Sequence, residues 1–164
     1  MKNLIILAII ASSFGVDAQK YGFVESEKLI LSLPEVQSAN KELETLKAQL
    51  TKQGQDMVMD LQKRATQLEA KKPELAPVEF EKQTEALKAD QAKLQEFEAA
   101  SQKQMYERSN ALLSPIEGRV NEAIKAVAKE EGYSYVFDKS HGIILYADKS
   151  SDISDKVLAK ITTK

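Results

Sequence analysis

Two long runs of apolar residues spaced by threes and fours, separated by a five-residue break between prolines, constrain this chain more than anything else in it. The first run is Val36, Ala39, Leu43, Leu46, Leu50, Met57, Leu61, Ala65 and Leu68, with a polar step at Gln53 and Gly54. That spacing is one face of an α-helix. Lys71 and Lys72 close it with the charge that a helix C-terminus favours, and Pro73 stops it. At 1.5 Å per residue such a helix is roughly 55–60 Å long. A chain of 164 residues has no globular core that needs one so long. The run therefore reads as a coiled-coil seam.

Pro73-Glu-Leu-Ala-Pro77 separates it from the second seam. Pro77 suits a first helical position, and Glu79 and Glu81 suit the N-terminal dipole. The seam then runs Phe80, Thr84, Leu87, Gln91, Leu94, Phe97 or Glu98, Ser101, Met105, Arg108, Leu112, Ile116, Val120, Ala123 and Val127, and Gly132 is a stop signal. Glu130 and Glu131 oppose the dipole at that end, so tertiary contacts are expected to fix it. Two long helices joined so tightly must fold back antiparallel. The expected register puts Leu50 opposite Ser101, Leu46 opposite Met105 and Met57 opposite Leu94. Gly54 falls opposite Phe97, a soft spot in the middle of the arm. Pro115 predicts a bend where the hairpin joins the rest of the chain, with Gly118 adding slack one turn later. Gly54, Pro115 and Gly118 are thus the hinge candidates.

The ends of the chain differ in kind. Residues 20–25 are short and β-leaning. Ser32-Leu-Pro-Glu35 has the spacing of a capping box, with Leu31 and Val36 at the staple positions. Tyr133, Tyr135 and Phe137 alternate, as do Ile143 and Leu145 with Ile144 and Tyr146. Asp138-Lys-Ser-His-Gly142 between them is a turn cluster, so a β-hairpin is expected. Asp152 to Asp155 starts a short helix with Ile153, Val157 and Ile161 on one face. Six of the nine aromatic residues beyond position 18 lie in the three expected strands, which separates a β-rich body from a helical arm. Such a body is a small core, and small cores are marginal alone. Oligomerisation through it is expected, with Phe23, Val24, Tyr135, Phe137, Ile143 and Leu145 as the candidate contacts.

Residues 1–18 read as a cleaved secretory signal peptide. Lys2 precedes the apolar run Leu4 to Ala11, too short to span a bilayer, and Val16-Asp-Ala18 offers small residues at the cleavage site. The domain reading is then a leader over 1–18, a body from 19–33 and 116–164, and an arm over 34–115. There is no cysteine, so neither disulfides nor thiol chemistry are available. The net charge of −2 lacks the basic excess of a nucleic-acid binder. His141, the one histidine, sits in a turn beside Gly142 and reads as solvated rather than as a base or metal ligand. The carboxylates follow helical spacing beside lysines, as a solvated face does. No phosphate-binding loop or zinc motif is present, and neither an enzymatic activity nor a cofactor is expected.

Taken together, "ESEKLILSLPEVQSANKELE", the broken hairpin, "LLSPIEGRVNEAIKAVAKEEGYSYVFDKS" and "DISDKVLAKI" resemble the Skp/OmpH family of periplasmic chaperones over essentially the whole chain beyond residue 18. The resemblance implies an α+β, mostly α fold and a jellyfish-like homotrimer. A β-rich body would hold three subunits whose hairpin arms enclose a cavity. It implies an ATP-independent holdase for unfolded outer-membrane β-barrel proteins, with body strands from Tyr21–Glu25, Tyr133–Asp138 and Gly142–Ala147. Arm seam and client contacts would come from Leu43, Leu50, Met57, Leu61, Leu87, Leu94, Phe97 and Met105. Better-known members are strongly basic, whereas here residues 60–85 carry five cations against six anions. Peripheral membrane contact through the arm tip is therefore not supported. The rival reading is an envelope coiled-coil adaptor or spacer with one fixed partner.

Overall fold

The computed structural model describes residues 19–163; the expected leader lies outside them. The element order is β1 (Tyr21–Val24), α1 (Ser26–Ser32), α2 (Pro34–Lys71), α3 (Pro77–Glu131), β2 (Tyr135–Asp138) and α4 (Ser154–Thr162), with a 3-10 turn at Lys149–Ser151 before α4. The chain divides into two compact units. Of the described residues, one unit holds 19–27 and 121–163, and the other is Lys28–Val120.

In the second unit α2 and α3 form the expected antiparallel pair. Arg119 bonds Glu35 at 3.0 Å, Arg108 Nε bonds Glu42 at 2.6 Å, and Arg64 bonds Asp90 at 2.6 Å. Leu33, Val36, Ala39, Ile116 and Val120 are buried near the base of this pair, and Leu68 near its tip. Between those ends the described side chains of both helices are half-buried at most. α2 continues through Gly54 and α3 continues through Pro115 without interruption.

The expected capping box does not form. Ser32 ends α1, and its hydroxyl donates back to the Leu29 carbonyl at 2.7 Å. Serine near a helix end makes such a local bond readily. The N-cap of α2 is Leu33, which has no side-chain cap bond, and Pro34 is the first helical residue. Glu35 is then one position too early to reach back, and it pairs with Arg119 instead. Leu31 is exposed and Leu33 takes the buried position, because α1 and α2 follow each other with one residue between them.

In the first unit β1 and β2 pair in parallel, Tyr21 opposite Tyr135 and Phe23 opposite Phe137. Asp152 makes a further parallel bridge to Phe23, and the Ile153 N–H donates to the Phe23 carbonyl at 3.0 Å. Phe23, Val24, Ala123, Val127, Ile153 and Val157 are its buried apolar residues. Gly132, at φ +71°, ends α3 in the left-handed conformation that glycine adopts without strain.

The expected β-hairpin is corrected by the structure. Tyr133 and Ser134 precede the strand, and Gly142–Ala147 forms no strand. Ile143, Leu145 and Tyr146 are 78%, 96% and 83% exposed. The alternation is genuine, but a strand holds only where its apolar face finds something to cover it. Among the described residues nothing covers these three side chains.

Candidate functional site

Three features stand out, two in the unit built from the chain ends and one in the arm. The first is a stack of exposed aromatic rings. β1 and β2 place Tyr21, Tyr135 and Phe137 on one sheet face by the two-residue period of a strand. Their rings stack pairwise at 5.9, 6.4 and 6.2 Å. The three are nevertheless 48%, 57% and 43% exposed. Of the six assembly candidates read from the sequence, Phe23 and Val24 are buried within the chain, while Tyr135, Phe137, Ile143 and Leu145 face solvent.

The second is a knot of hydrogen bonds at the start of α1. The first N–H groups of a helix have no partner of their own. Here distant side chains supply them. Ser154 Oγ accepts from the Glu25 N–H at 3.2 Å, Asp138 from the Ser26 N–H at 3.3 Å, and Ser140 Oγ from the Glu27 N–H at 3.1 Å. Asp138 also accepts from the Ser26 hydroxyl and from the Ser140 N–H. Partial burial on its own would raise the Asp138 pKa. The bonds from Ser26 and Ser140 outweigh it and hold the carboxyl at about 2. His141 Nε2 lies 3.8 Å from the same carboxylate and is largely solvated. Sequence reading missed this knot, because its partners are more than a hundred residues apart.

At the end of α3 the opposed dipole is met as expected. Lys156 and Lys160 bond Glu131 and Glu130, and Lys20 reaches the Glu131 carbonyl at 3.0 Å. Lys156, with a smaller part from Lys20, holds the Glu131 carboxyl below its usual range.

The third feature is an open groove between α2 and α3, about 930 Å³ in volume. It brings together Leu50, Gly54, Phe97 and Met105 from the candidates, with Ser101 beside them. A Cβ at Gly54 would lie 3.5 Å from the Phe97 ring, so the two face each other as the register requires. Leu43, Met57, Leu61, Leu87 and Leu94 are half-buried along the seam but outside the groove lining. Val58, Thr51, Gln55 and Gln102 line it from positions one step off the seam, which apolar spacing alone does not mark. A Cβ at Gly118 would meet nothing within 4 Å, so that glycine makes no close approach. Among the described residues there is no cluster of three metal-ligating side chains, and no helix is long and apolar enough to cross a membrane.

The family model described as outer membrane protein (OmpH-like) matches residues 20–161. The chain belongs to the OmpH-like family. It is 29% identical to a chaperone protein Skp from Yersinia enterocolitica over 156 residues, covering 93% of this chain and 92% of the relative. A chaperone protein Skp from Photorhabdus laumondii is 30% identical over 170 residues, 98% of this chain and 99% of the relative. The fold of an OmpH-like crystal structure from Caulobacter crescentus is similar, with a TM-score of 0.77 at 22% identity over 89% of this chain and 85% of that one. Family membership makes this a non-enzymatic protein of chaperone type.

Proposed function

We propose that this protein is an ATP-independent periplasmic holdase that receives unfolded outer-membrane β-barrel proteins between its helical arms. The observation that carries the reading is the arm itself. α2 and α3 run 38 and 55 residues, yet no side chain from Asn40 to Gln67, or from Glu69 to Pro115, is fully buried. A pair of helices so long, with its seam left partly open, offers spaced apolar groups to a client that exposes many of its own. Many weak contacts then sum to useful affinity without one shaped pocket.

The exposed Tyr21–Tyr135–Phe137 stack and the uncovered Ile143, Leu145 and Tyr146 support self-association as a homotrimer. Exposed apolar clusters of this kind mark interaction surfaces. Gly142–Ala147 gains strand structure when a neighbouring copy supplies the missing edge. The leader reading supports export to the periplasm. Gly54 and Pro115 with Gly118 are the positions where the arms would flex to suit clients of different size.

The test uses the chain without residues 1–18. An outer-membrane β-barrel protein unfolded in urea is diluted into buffer with and without it, and light scattering is followed in the absence of nucleotide. Scattering is suppressed at about one trimer per client, and sedimentation finds the two together. An unaffected scattering curve refutes the holdase reading, and a chain that sediments as a monomer at micromolar concentration refutes the trimer.

A further inference from the structure

We infer that the groove between α2 and α3 is a built client subsite, and that it takes a short, uncharged, extended segment of the unfolded barrel chain. The inference rests on the holdase reading and specifies where on the arm, and by what chemistry, a client is held.

Four observations converge on that occupant. The first is charge. Lys47 and Glu98 are the only charged residues lining the groove, one of each sign. The arm unit as a whole is nearly balanced, and several of its charges are spent on one another, as in Arg64–Asp90 and Arg108–Glu42. A groove with no net charge matches a segment with no net charge, and long-range steering contributes little. The second is length. Residues 47–59 of α2 border it, which is about 18 Å of helix. An extended chain covers that distance in about five residues at 3.3 Å each. The strands of membrane barrels alternate apolar and polar residues, so a strand whose polar positions are uncharged has an apolar edge to insert and no charge to bury.

The third is the composition of the walls. Phe97 and the thioethers of Met59 and Met105 offer deformable apolar surface. Met59 is 59% exposed although it sits in the interior of α2. Gln55 and Gln102 also line it, and their exposed amides can pair with the free backbone groups of an extended chain. The fourth is a hydroxyl. Among the described residues, Ser101 Oγ is a buried side-chain oxygen with no hydrogen-bond partner. Buried polar groups are almost always paired, so an unpaired hydroxyl on a groove-lining residue is available to a guest once neighbouring side chains shift to uncover it. Gly54 makes room: without a side chain it leaves the Phe97 ring open to a guest.

Three substitutions in the full mature chain test this. Gly54→Leu fills the groove. Gly54→Ala removes the backbone freedom of glycine but leaves most of the space, because the added Cβ makes only ordinary contact with Phe97. Gln49→Leu puts the same apolar side chain outside this groove, in place of one of similar size. Circular dichroism checks that each stays helical, as replacing glycine inside a helix favours. Affinity is read from tryptophan fluorescence of an urea-unfolded outer-membrane barrel protein on dilution, from 50 to 500 mM salt. A fluorescent six-residue peptide, uncharged and alternating apolar with polar residues, is the second probe.

Gly54→Leu weakens the barrel client at least fivefold and abolishes peptide binding, Gly54→Ala weakens both less than Gly54→Leu does, and Gln49→Leu stays within twofold of the unsubstituted chain. Salt changes the affinity less than threefold. An unchanged Gly54→Leu, or a loss as large in Gly54→Ala, overturns the subsite while the unsubstituted chain still holds the client. Failure of the unsubstituted chain to hold the client overturns the holdase reading and the subsite with it.

Discussion

The unit made from the two chain ends and the unit made from the arm solve opposite problems. The first joins segments far apart in sequence, and its few buried side chains include Phe23, Val24, Val127, Ile153 and Val157. Its order depends on tertiary contacts: the caps on α1, the lysines on α3 and the two short strands. The arm is nearly all local structure. Its helices satisfy their own backbone, and its seam is half-open between buried ends. The difference separates two jobs. Long-range contacts hold the unit proposed above as the assembly platform, while a locally stable arm can keep its apolar surface exposed without unfolding.

The largest expected effect breaks the platform. Phe137→Asp puts a charge into the aromatic stack, where an assembled neighbour would leave it unpaired. Sedimentation should show the assembly dissociated while the helical content of the arm persists. A Phe137→Asp chain that remains assembled removes the aromatic face from the comparison. Next comes packing. Ile153 is 1% exposed, and Ile153→Ala should cost about 2–5 kcal/mol in urea unfolding, as large-to-small core changes do. Leu94 is half-buried, so Leu94→Ala in the arm should cost only about 1 kcal/mol. Equal losses at the two sites would mean that the arm is packed as tightly as the platform.

That contrast also explains what the sequence made legible. Helical spacing shows the arm, its turn and even the Gly54–Phe97 opposition, because each follows from residues close in sequence or from one register. The dipole mismatch at Glu130 and Glu131 was readable too, since it announces a missing cation even before Lys156 and Lys160 are located. The capping box at Ser32–Glu35 misled because the motif is local, and α1 had already claimed Ser32. The second strand of the hairpin misled for the converse reason. Its alternation describes side chains that stay exposed in the single chain, with no facing strand among the described residues to pair them. The knot at Asp138 has no sequence signature at all. A helix start, a strand end and a turn meet there only after folding.

A smaller effect sharpens the platform side. The Asp138 carboxyl is held at about 2, below its ordinary 3.8. A depressed carboxyl stabilises the fold fully above about pH 4 and loses that contribution as pH falls toward 2. Asp138→Asn should therefore cost about 1–2 kcal/mol near neutral pH, after allowance for its partial exposure. The gap between variant and parent should close between pH 4 and pH 2 in unfolding measurements. A gap that persists at pH 2 would mean that shape, not charge, makes the cap.

The smallest effect lies in the arm. Arg64 bonds Asp90 at 2.6 Å and Asp60 at 3.4 Å, and the Asp90 pairing raises its pKa. Lys93 first, and Arg64 second, hold Asp90 below its usual range. Removing Arg64 thus leaves Asp90 with a cation 2.9 Å away, so no charge is stranded. Side-chain exchange of this kind at an exposed site changes little. Arg64→Gln should leave the melting temperature unchanged, yet speed amide exchange in the turns flanking residues 64 and 90, where the two helices lose a clasp. This is the outcome only if each helix stands mainly on its own backbone bonds and the cross-helix pairs act as local fasteners. A lowered melting temperature with uniform exchange along both helices would show the reverse. The arm would then be a cooperative unit held by its ion pairs, and its open groove would have to be maintained at their expense.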